Sequence, residues 1–260
     1  MVMDYDGFKK EVFAMSGIDL NAYKEKQMKR RLNSLISRNN FEGYDSYIRG
    51  LKENKALYNE FINFMTINVS EFYRNPDQWE KVRSIIFPLL LQKNERLKIW
   101  SAACSSGDEP YTLAMILNEF MPLNQISILA TDIDKDVLEK ARKGIYNKKS
   151  VEHLPSSYLN KYFTEVEDKV IIKDEIKRCI DFKYHNLLAD KYPQNCDMIV
   201  CRNVLIYFTE EAKNQIYINF SKALKKEGIL FVGSTEQILL YANYKFKPIQ
   251  TFFYQKEEDA

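Results

Sequence analysis

Apolar residues recur at helical spacing from the first residues to about position 90, and short apolar runs alternate with helical stretches after that. Phe8, Val12 and Phe13 share one predicted helical face, with Gly17 as its stop. A helix over 22–38 places Met28, Leu32, Leu35 and Ile36 on one side. Two more helices are predicted over 44–52 and 56–65. Residues 66–74 break the period with polar positions inside an apolar run, and read equally well as a site lining or a plain connector. Asn75-Pro76 supplies an N-cap and a first-turn proline for a long helix to about Leu91, with Pro88 able to kink its last turn.

The second pattern begins at Ile99. Ile99, Trp100, Ala102 and Ala103 read as a buried parallel strand. A turn of small residues around Gly107 follows, and then a helix after Pro110 with Leu113, Ile116, Leu117 and Phe120 on its apolar face. A second strand over 126–130 ends in Thr131-Asp132-Ile133-Asp134, and its helix carries Val137, Leu138 and Ala141 up to Gly144. Residues of about 145–179 interrupt the alternation as a short helix and a small antiparallel hairpin. Strands over 180–182, 198–201 and 228–233 complete the series, with a helix over 209–225 before the last. Residues 246–254 are rich in β-formers and return antiparallel along an edge. The expected fold is α/β. An all-helical N-terminal domain (1–75) precedes a Rossmann-like sheet domain (76–260), into which a small antiparallel β-subdomain is inserted at about 145–179.

Composition narrows the function. A formal net charge of +2 over 260 residues does not make the whole molecule a polyanion binder, so any basic docking surface must be local. The 22–38 helix provides one candidate: Lys24, Lys26, Lys29, Arg30, Arg31 and Arg38 against Glu25 alone. That face is either simply solvated or docks an acidic protein or nucleic acid, and the scarcity of interleaved aromatic residues weighs against nucleic acid. Cys104, Cys179, Cys196 and Cys201 have no metal-ligand spacing and read as buried thiols, so no metal is expected. No apolar run approaches a membrane span and no basic-then-apolar leader opens the chain, so a cytoplasmic protein without membrane insertion is expected.

The chemistry gathers at predicted strand ends, where open α/β sheets bind ligands. Small residues around Gly107 permit close approach to the backbone, and Asp108 and Glu109 can accept hydrogen bonds from a cationic or hydroxylated ligand. Asp132 ends the next strand. Alone it reads as a helix cap, but together with the Gly107 turn it reads as an acceptor for ribose hydroxyls. One glycine, and no G-x-G-x-x-G, argues against a dinucleotide pyrophosphate and for an adenosine ligand without phosphates.

Four segments carry a more specific signal: Asn-Val-Ser-Glu-Phe-Tyr-Arg (68–74), Trp-Ser-Ala-Ala-Cys-Ser-Ser-Gly-Asp-Glu-Pro-Tyr-Thr-Leu-Ala-Met (100–115), Ala-Thr-Asp-Ile-Asp (130–134) and Cys-Arg-Asn-Val-Leu-Ile-Tyr-Phe (201–208). In wording and order they resemble the chemotaxis receptor methyltransferases, the CheR family, which use S-adenosylmethionine to methylate glutamates on chemoreceptors and release S-adenosylhomocysteine. The resemblance implies that Asn68, Ser70 and Arg74 reach the cofactor from the segment after the helices. It further implies that Glu109 and Asp132 contact the cofactor, Asp132 on its ribose, and that Asn186, Leu187, Arg202 and Asn203 border its adenine and methionine ends. Asp108 and Ser70 stand where the family often has Glu and Thr, and both keep the polar group.

The implied reaction is displacement by a carboxylate that is already ionised at neutral pH, so no general base is needed. Arg74 and Tyr207 are the residues expected to orient that carboxylate, with a structural salt bridge and core packing as their respective alternatives. His153 and His185 read as structural. The implied partner is an acidic chemoreceptor helical bundle met by the 22–38 helix. Some members of the family grip a receptor tether with a glycine-bearing loop; the turn over 165–169 has no glycine, so direct recognition by a monomer is expected.

Overall fold

In a computed structural model, which describes residues 3–258, the chain divides into two compact units, 1–67 with 204–216 and 68–203 with 217–260. The first unit holds helices α1 (Tyr5–Ser16), α2 (Glu25–Arg38), α3 (Tyr44–Glu53) and α4 (Lys55–Thr66). Phe8 and Val12 are fully buried, whereas Phe13 is exposed, because a residue next to Val12 sits about 100° round the helix from it. On α2 the four anticipated positions, Met28, Leu32, Leu35 and Ile36, are all buried. The core is aromatic, with Phe8, Tyr47 and Phe61 in mutual ring contact. Residues 204–216 join this unit through backbone pairing: Lys24 N–H donates to Tyr207 O at 2.9 Å and Thr209 N–H to Ala22 O at 2.8 Å.

In the second unit, α5 (Pro76–Lys81), a π-turn (Val82–Ile86) and α6 (Phe87–Leu91) form the long helix anticipated there. Pro88 follows a π-turn in which Phe87 N–H reaches back five residues to Val82 O. Proline lacks the N–H of an ordinary turn and its ring crowds the preceding carbonyls, so widening the helix relieves the conflict. Strand β1 (Ile99–Ala102) is buried at every position. Helix α7 (Asp108–Leu117) starts at Asp108, two residues before Pro110, and ends before Phe120, which is partly exposed. Strand β2 (Ile128–Asp132) begins later than its apolar run suggested and carries Asp132 as its last residue; α8 (Lys135–Lys143) follows.

The insertion is a three-stranded antiparallel sheet rather than a hairpin. Strand β3 (Ile145–Asn147) pairs with β5 (Lys169–Ile172), which pairs with β4 (Phe163–Val166), and the short helices α9 (Ser156–Tyr162) and α10 (Asp174–Lys177) flank them. The remaining strands are β6 (Ile180–Tyr184), β7 (Cys196–Cys201), β8 (Leu224–Val232), β9 (Phe246–Gln250) and β10 (Phe253–Lys256), with α11 (Glu210–Ala223) before β8. The edge segment anticipated over 246–254 is thus two strands, turned at Phe252, and β8 starts four residues earlier than predicted.

The main sheet runs β6-β2-β1-β7-β8-β10-β9, with β6 through β8 parallel and the last two antiparallel. The strand order reverses at β1, which has β2 on one side and β7 on the other, so the crevice of an open sheet lies over the carboxyl ends of these strands. Trp100 braces the strand face by donating to Thr131 Oγ1 at 2.9 Å and packing against Tyr192 and Phe220. All four cysteines are free and buried. Among the described residues no helix is long and apolar enough to cross a membrane, and no group of acidic, histidine or cysteine side chains could hold a metal.

The 68–75 segment packs with the sheet unit. Phe72 is fully buried between the rings of Tyr146 and Phe163, and its N–H donates to Ser150 O at 2.9 Å. These apolar anchors place the polar side chains between them beside the strand ends.

Candidate active site

The turn from β1 to α7 alternates in handedness. Ala103, Ser105 and Gly107 have φ of 60°, 50° and 90°. Only Gly107 must be glycine for lack of space: a Cβ there would lie 2.9 Å from Ala141 Cβ and 3.1 Å from both Phe182 and Tyr111. The turn directs the Ser105 N–H onto Asp132 Oδ2 at 2.8 Å, while Asp132 Oδ1 accepts the Asp134 N–H at 3.0 Å. Asp132 is therefore buried and fixed by backbone donors. Burial nonetheless outweighs them and pushes its carboxyl up to about 6. Asp134 caps α8 through the N–H groups of Asp136 and Val137. Asn68 joins the two structures: its Nδ2 donates to Asp134 Oδ2 at 2.7 Å and its Oδ1 accepts the Ser105 hydroxyl at 3.3 Å.

A second cluster surrounds Arg202, which follows β7 and is 8% exposed. Its Nη2 donates to Arg74 O at 2.8 Å, Gln78 Oε1 at 2.9 Å and Asn75 Oδ1 at 3.1 Å. Asn75 thus spends its side-chain oxygen on Arg202 and leaves the N-terminus of α5 without the expected side-chain cap. The guanidinium lies over the rings of Trp79 and Phe231, at 5.0 and 4.8 Å from their centroids. Its Nη1 stands 3.5 Å from Glu109 Oε2, and Glu109 Oε1 accepts the Ser101 hydroxyl at 2.8 Å. Burial raises the Glu109 carboxyl and lowers the Arg202 guanidinium from their ordinary values; their mutual attraction opposes both shifts. The buried Arg202 Nε has no hydrogen-bond partner among the described residues.

Arg74 is half-buried, and its side chain makes one hydrogen bond, to Val69 O at 3.2 Å; among the described residues no carboxylate pairs with it. Its carbonyl is held by the Trp79 indole as well as by Arg202. Ser70 hydrogen-bonds to Asp108, a carboxyl raised by burial that also accepts the Ser106 hydroxyl at 2.6 Å. Asn186 is buried, and its Oδ1 accepts the Leu188 N–H in its own turn. Leu187 is buried and its carbonyl accepts the Tyr192 hydroxyl. Asn203 takes a left-handed conformation, φ 61°. Asn68, Ser70, Arg74, Glu109, Asp132, Asn186, Leu187, Arg202 and Asn203 thus all belong to the sheet unit. Tyr207 belongs to the helical unit, half-buried, in a 3-10 turn (Leu205–Tyr207).

Ser101, Gln78 and Glu236 complete the site and were not anticipated. Ser101 lies inside an apolar run, and nothing in the sequence singles out Gln78. Glu236 had a readable signal, as an acid three residues past a glycine at the end of the fifth parallel strand. His185 is packed in place: its Nε2 faces Lys191 O at 3.3 Å, its ring packs on Trp100, and burial lowers its pKa.

Buried carboxyls at three strand ends beside a buried guanidinium with an orphaned N–H fit a ligand that carries cations, hydroxyls and a carboxylate at once. S-adenosylmethionine is such a ligand. Residues 68–254 match the CheR methyltransferase, SAM binding domain, and residues 3–66 match the CheR methyltransferase, all-alpha domain. The chain is 41% identical to the chemotaxis protein methyltransferase of Listeria monocytogenes over 97% of both chains. It is 36% identical to that of Borreliella burgdorferi over 88% of this chain and 86% of that one, and 33% identical to that of Escherichia coli over 86% and 81%. With both domains matched in order and the strand-end carboxyls in place, this chain belongs to the CheR family of S-adenosylmethionine-dependent methyltransferases.

Proposed function

We propose that this protein methylates glutamate side chains of chemoreceptors in the cytoplasm, giving methyl esters. The observation that carries this reading is Arg74: a half-buried residue whose backbone is fastened to Arg202 and whose guanidinium has no carboxylate partner among the described residues. A guanidinium in that state is prepared for an incoming carboxylate, which it can meet with two parallel N–H donors. Relatives matched over most of their length are named chemotaxis protein methyltransferases, which supports a role in chemotaxis.

When bound, S-adenosylmethionine supplies a methyl group on a positively charged sulfur. In this reading Asp132 accepts from the ribose hydroxyls, while Glu109 and Arg202 face the amino and carboxylate groups of the methionine end. Asn68 and Ser70 hold the 68–74 segment against the strand ends, and Asn186, Leu187 and Asn203 border the remaining edges. Arg74 orients the attacking glutamate oxygen. A glutamate with an ordinary pKa near ~4.3 is ionised at neutral pH, so the chain needs no base, consistent with the packed role of His185. Catalysis then rests on alignment and on exclusion of water.

The 22–38 helix is proposed as the receptor-facing surface of a monomer that needs no tether: the β4–β5 turn passes through Glu167 in a left-handed conformation without a glycine. The test is methyl transfer from labelled S-adenosylmethionine to membranes carrying chemoreceptors. Base-labile label on the receptor supports the proposal; label on RNA or a small molecule, or no transfer at all, overturns it.

A further inference from the structure

Strands β7 and β8 are parallel neighbours, with Cys201 opposite Val232, and the chain leaves both of them into the same small space. One carboxylate closes that space. Glu236 Oε2 accepts the Asn203 N–H at 2.5 Å and the Gly233 N–H at 2.9 Å, while the Glu236 N–H donates back to Gly233 O at 3.0 Å. Glu236 is 6% exposed. Hydrogen bonds to an ionised acceptor are the stronger class, and two of them converging on one buried oxygen fix both strand exits together.

The rest of the local geometry depends on this clasp. Asn203 sits at φ 61°, a left-handed conformation that asparagine tolerates better than most residues, and its N–H in that conformation points at Glu236 Oε2. Gly233 has no room for a side chain: a Cβ there would fall on Glu236 Oε2 and lie 2.8 Å from Asn203 N. The clasp thus sets the backbone between Arg202, whose guanidinium meets Glu109, and Asn203. The charge of Glu236 also acts on both members of that pair, favouring the Arg202 cation and opposing ionisation of Glu109.

We infer that Glu236 is a positioning residue for methyl transfer, one that acts through the Asn203 and Gly233 backbone rather than by touching the reacting atoms. Part of this inference, the effect on rate, rests on the methyl-transfer reading above; the clasp itself does not. Gln keeps an acceptor oxygen at the same reach, Asp retracts the carboxylate by one methylene, and Ala removes it.

In the full chain, hydrogen exchange of the Asn203 and Gly233 amides and initial rates with labelled S-adenosylmethionine and receptor membranes are compared for wild type, Glu236→Ala, Glu236→Asp and Glu236→Gln. Loss of two charge-assisted bonds should speed exchange at both amides at least ~10-fold in Glu236→Ala and lower kcat/KM by a similar factor, and Glu236→Gln should restore most of each. If Glu236→Ala does not fold, Glu236→Asp carries the test, with the same two losses expected. Unchanged exchange at these amides overturns the clasp. Faster exchange with an unaltered rate overturns the positioning role. A wild-type protein with protected amides that methylates no receptor overturns the proposed function and leaves the clasp standing.

Discussion

The backbone carbonyl of Arg74 accepts the Nη2–H of Arg202 at 2.8 Å, so the segment bearing the first arginine is fastened by the second. Arg202 reaches that carbonyl from the end of β7, held over Trp79 and Phe231 and beside Glu109. Its removal leaves the largely buried Glu109 carboxylate without its cation and Gln78 Oε1 without this donor, while the Arg74 carbonyl keeps only the Trp79 indole. Breaking one side of a buried pair costs ~3–5 kcal/mol, so Arg202→Met should lower unfolding free energy in urea by about that amount. Arg202→Met combined with Glu109→Gln should recover at least ~1 kcal/mol, the coupling expected of groups in contact. Strict additivity of the two substitutions would show that the pair is not coupled.

Arg74 itself should behave differently. Its side chain makes one hydrogen bond and no ion pair among the described residues, so Arg74→Ala should change stability by less than ~1 kcal/mol. Methyl transfer should fall at least ~10²-fold, the loss typical of a positioned catalytic group. Arg74→Lys keeps the charge without the two-pronged donor and should fall between the two. Single-turnover rates at saturating cofactor separate these cases, and near-normal turnover by Arg74→Ala would remove the residue from the mechanism.

Asp132 gives a pH prediction with a definite sign. Burial raises its folded-state pKa from 3.8 to about 6. Between these values the folded state holds more proton than the unfolded chain, so this group's contribution to stability is greatest below about pH 4. It declines as pH rises to about 6 and is flat beyond. A shift of this size amounts to ~2–3 kcal/mol across the window. Asp132→Asn cannot titrate, so its stability relative to wild type should improve by that amount from pH 4 to pH 6, whatever fixed penalty the amide incurs against two N–H donors. Denaturation midpoints at matched pH values measure the difference, and parallel curves for the two proteins would contradict the assignment.

Much of this architecture was written in the chain as periodicity. The stripe of Met28, Leu32, Leu35 and Ile36, and the switch at Ile99 from helices to alternating strands, needed no knowledge of tertiary contacts. Boundaries were harder to read wherever tertiary partners override a local signal. Asn75-Pro76 reads as a capped helix start, yet Arg202, 127 residues away, takes the Asn75 oxygen. Ala103 and Ser105 carry no glycine signature, yet the backbone turns left-handed at both because the Ser105 N–H is drawn to Asp132. Glu109 and Asp132 were legible as acids at apolar strand ends, and Arg202 only through the resemblance of the 201–208 segment to a known family. Ser101 and Gln78 were not, because a small hydroxyl in a strand and an amide in a helix acquire meaning only from the charged group they turn out to face.

The basic helix separates into two kinds of residue. Arg31 is half-buried, donates to Phe64 O at 2.6 Å and stacks on the Phe64 ring, while Arg38 pairs with Glu60 at 2.5 Å. Lys24, Lys26, Lys29 and Arg30 are exposed. Arg38 is exposed too but already neutralised by Glu60, so the other four are the ones left to steer an acidic partner, and exposed charges attract over roughly a Debye length, about 8–10 Å at physiological salt. Reversing Lys26, Lys29 and Arg30 to Glu should therefore slow methylation of receptor membranes ~10-fold or more at low salt, with the deficit shrinking as salt is added. Cofactor affinity, read by calorimetry with S-adenosylhomocysteine, should be unchanged, as should the melting temperature. Arg31→Ala should instead lower the melting temperature, because it strips the half-buried Phe64 carbonyl of its donor and the Phe64 ring of its stacked cation. A charge-reversed protein that methylates receptors at the wild-type rate in low salt would place the docking surface elsewhere.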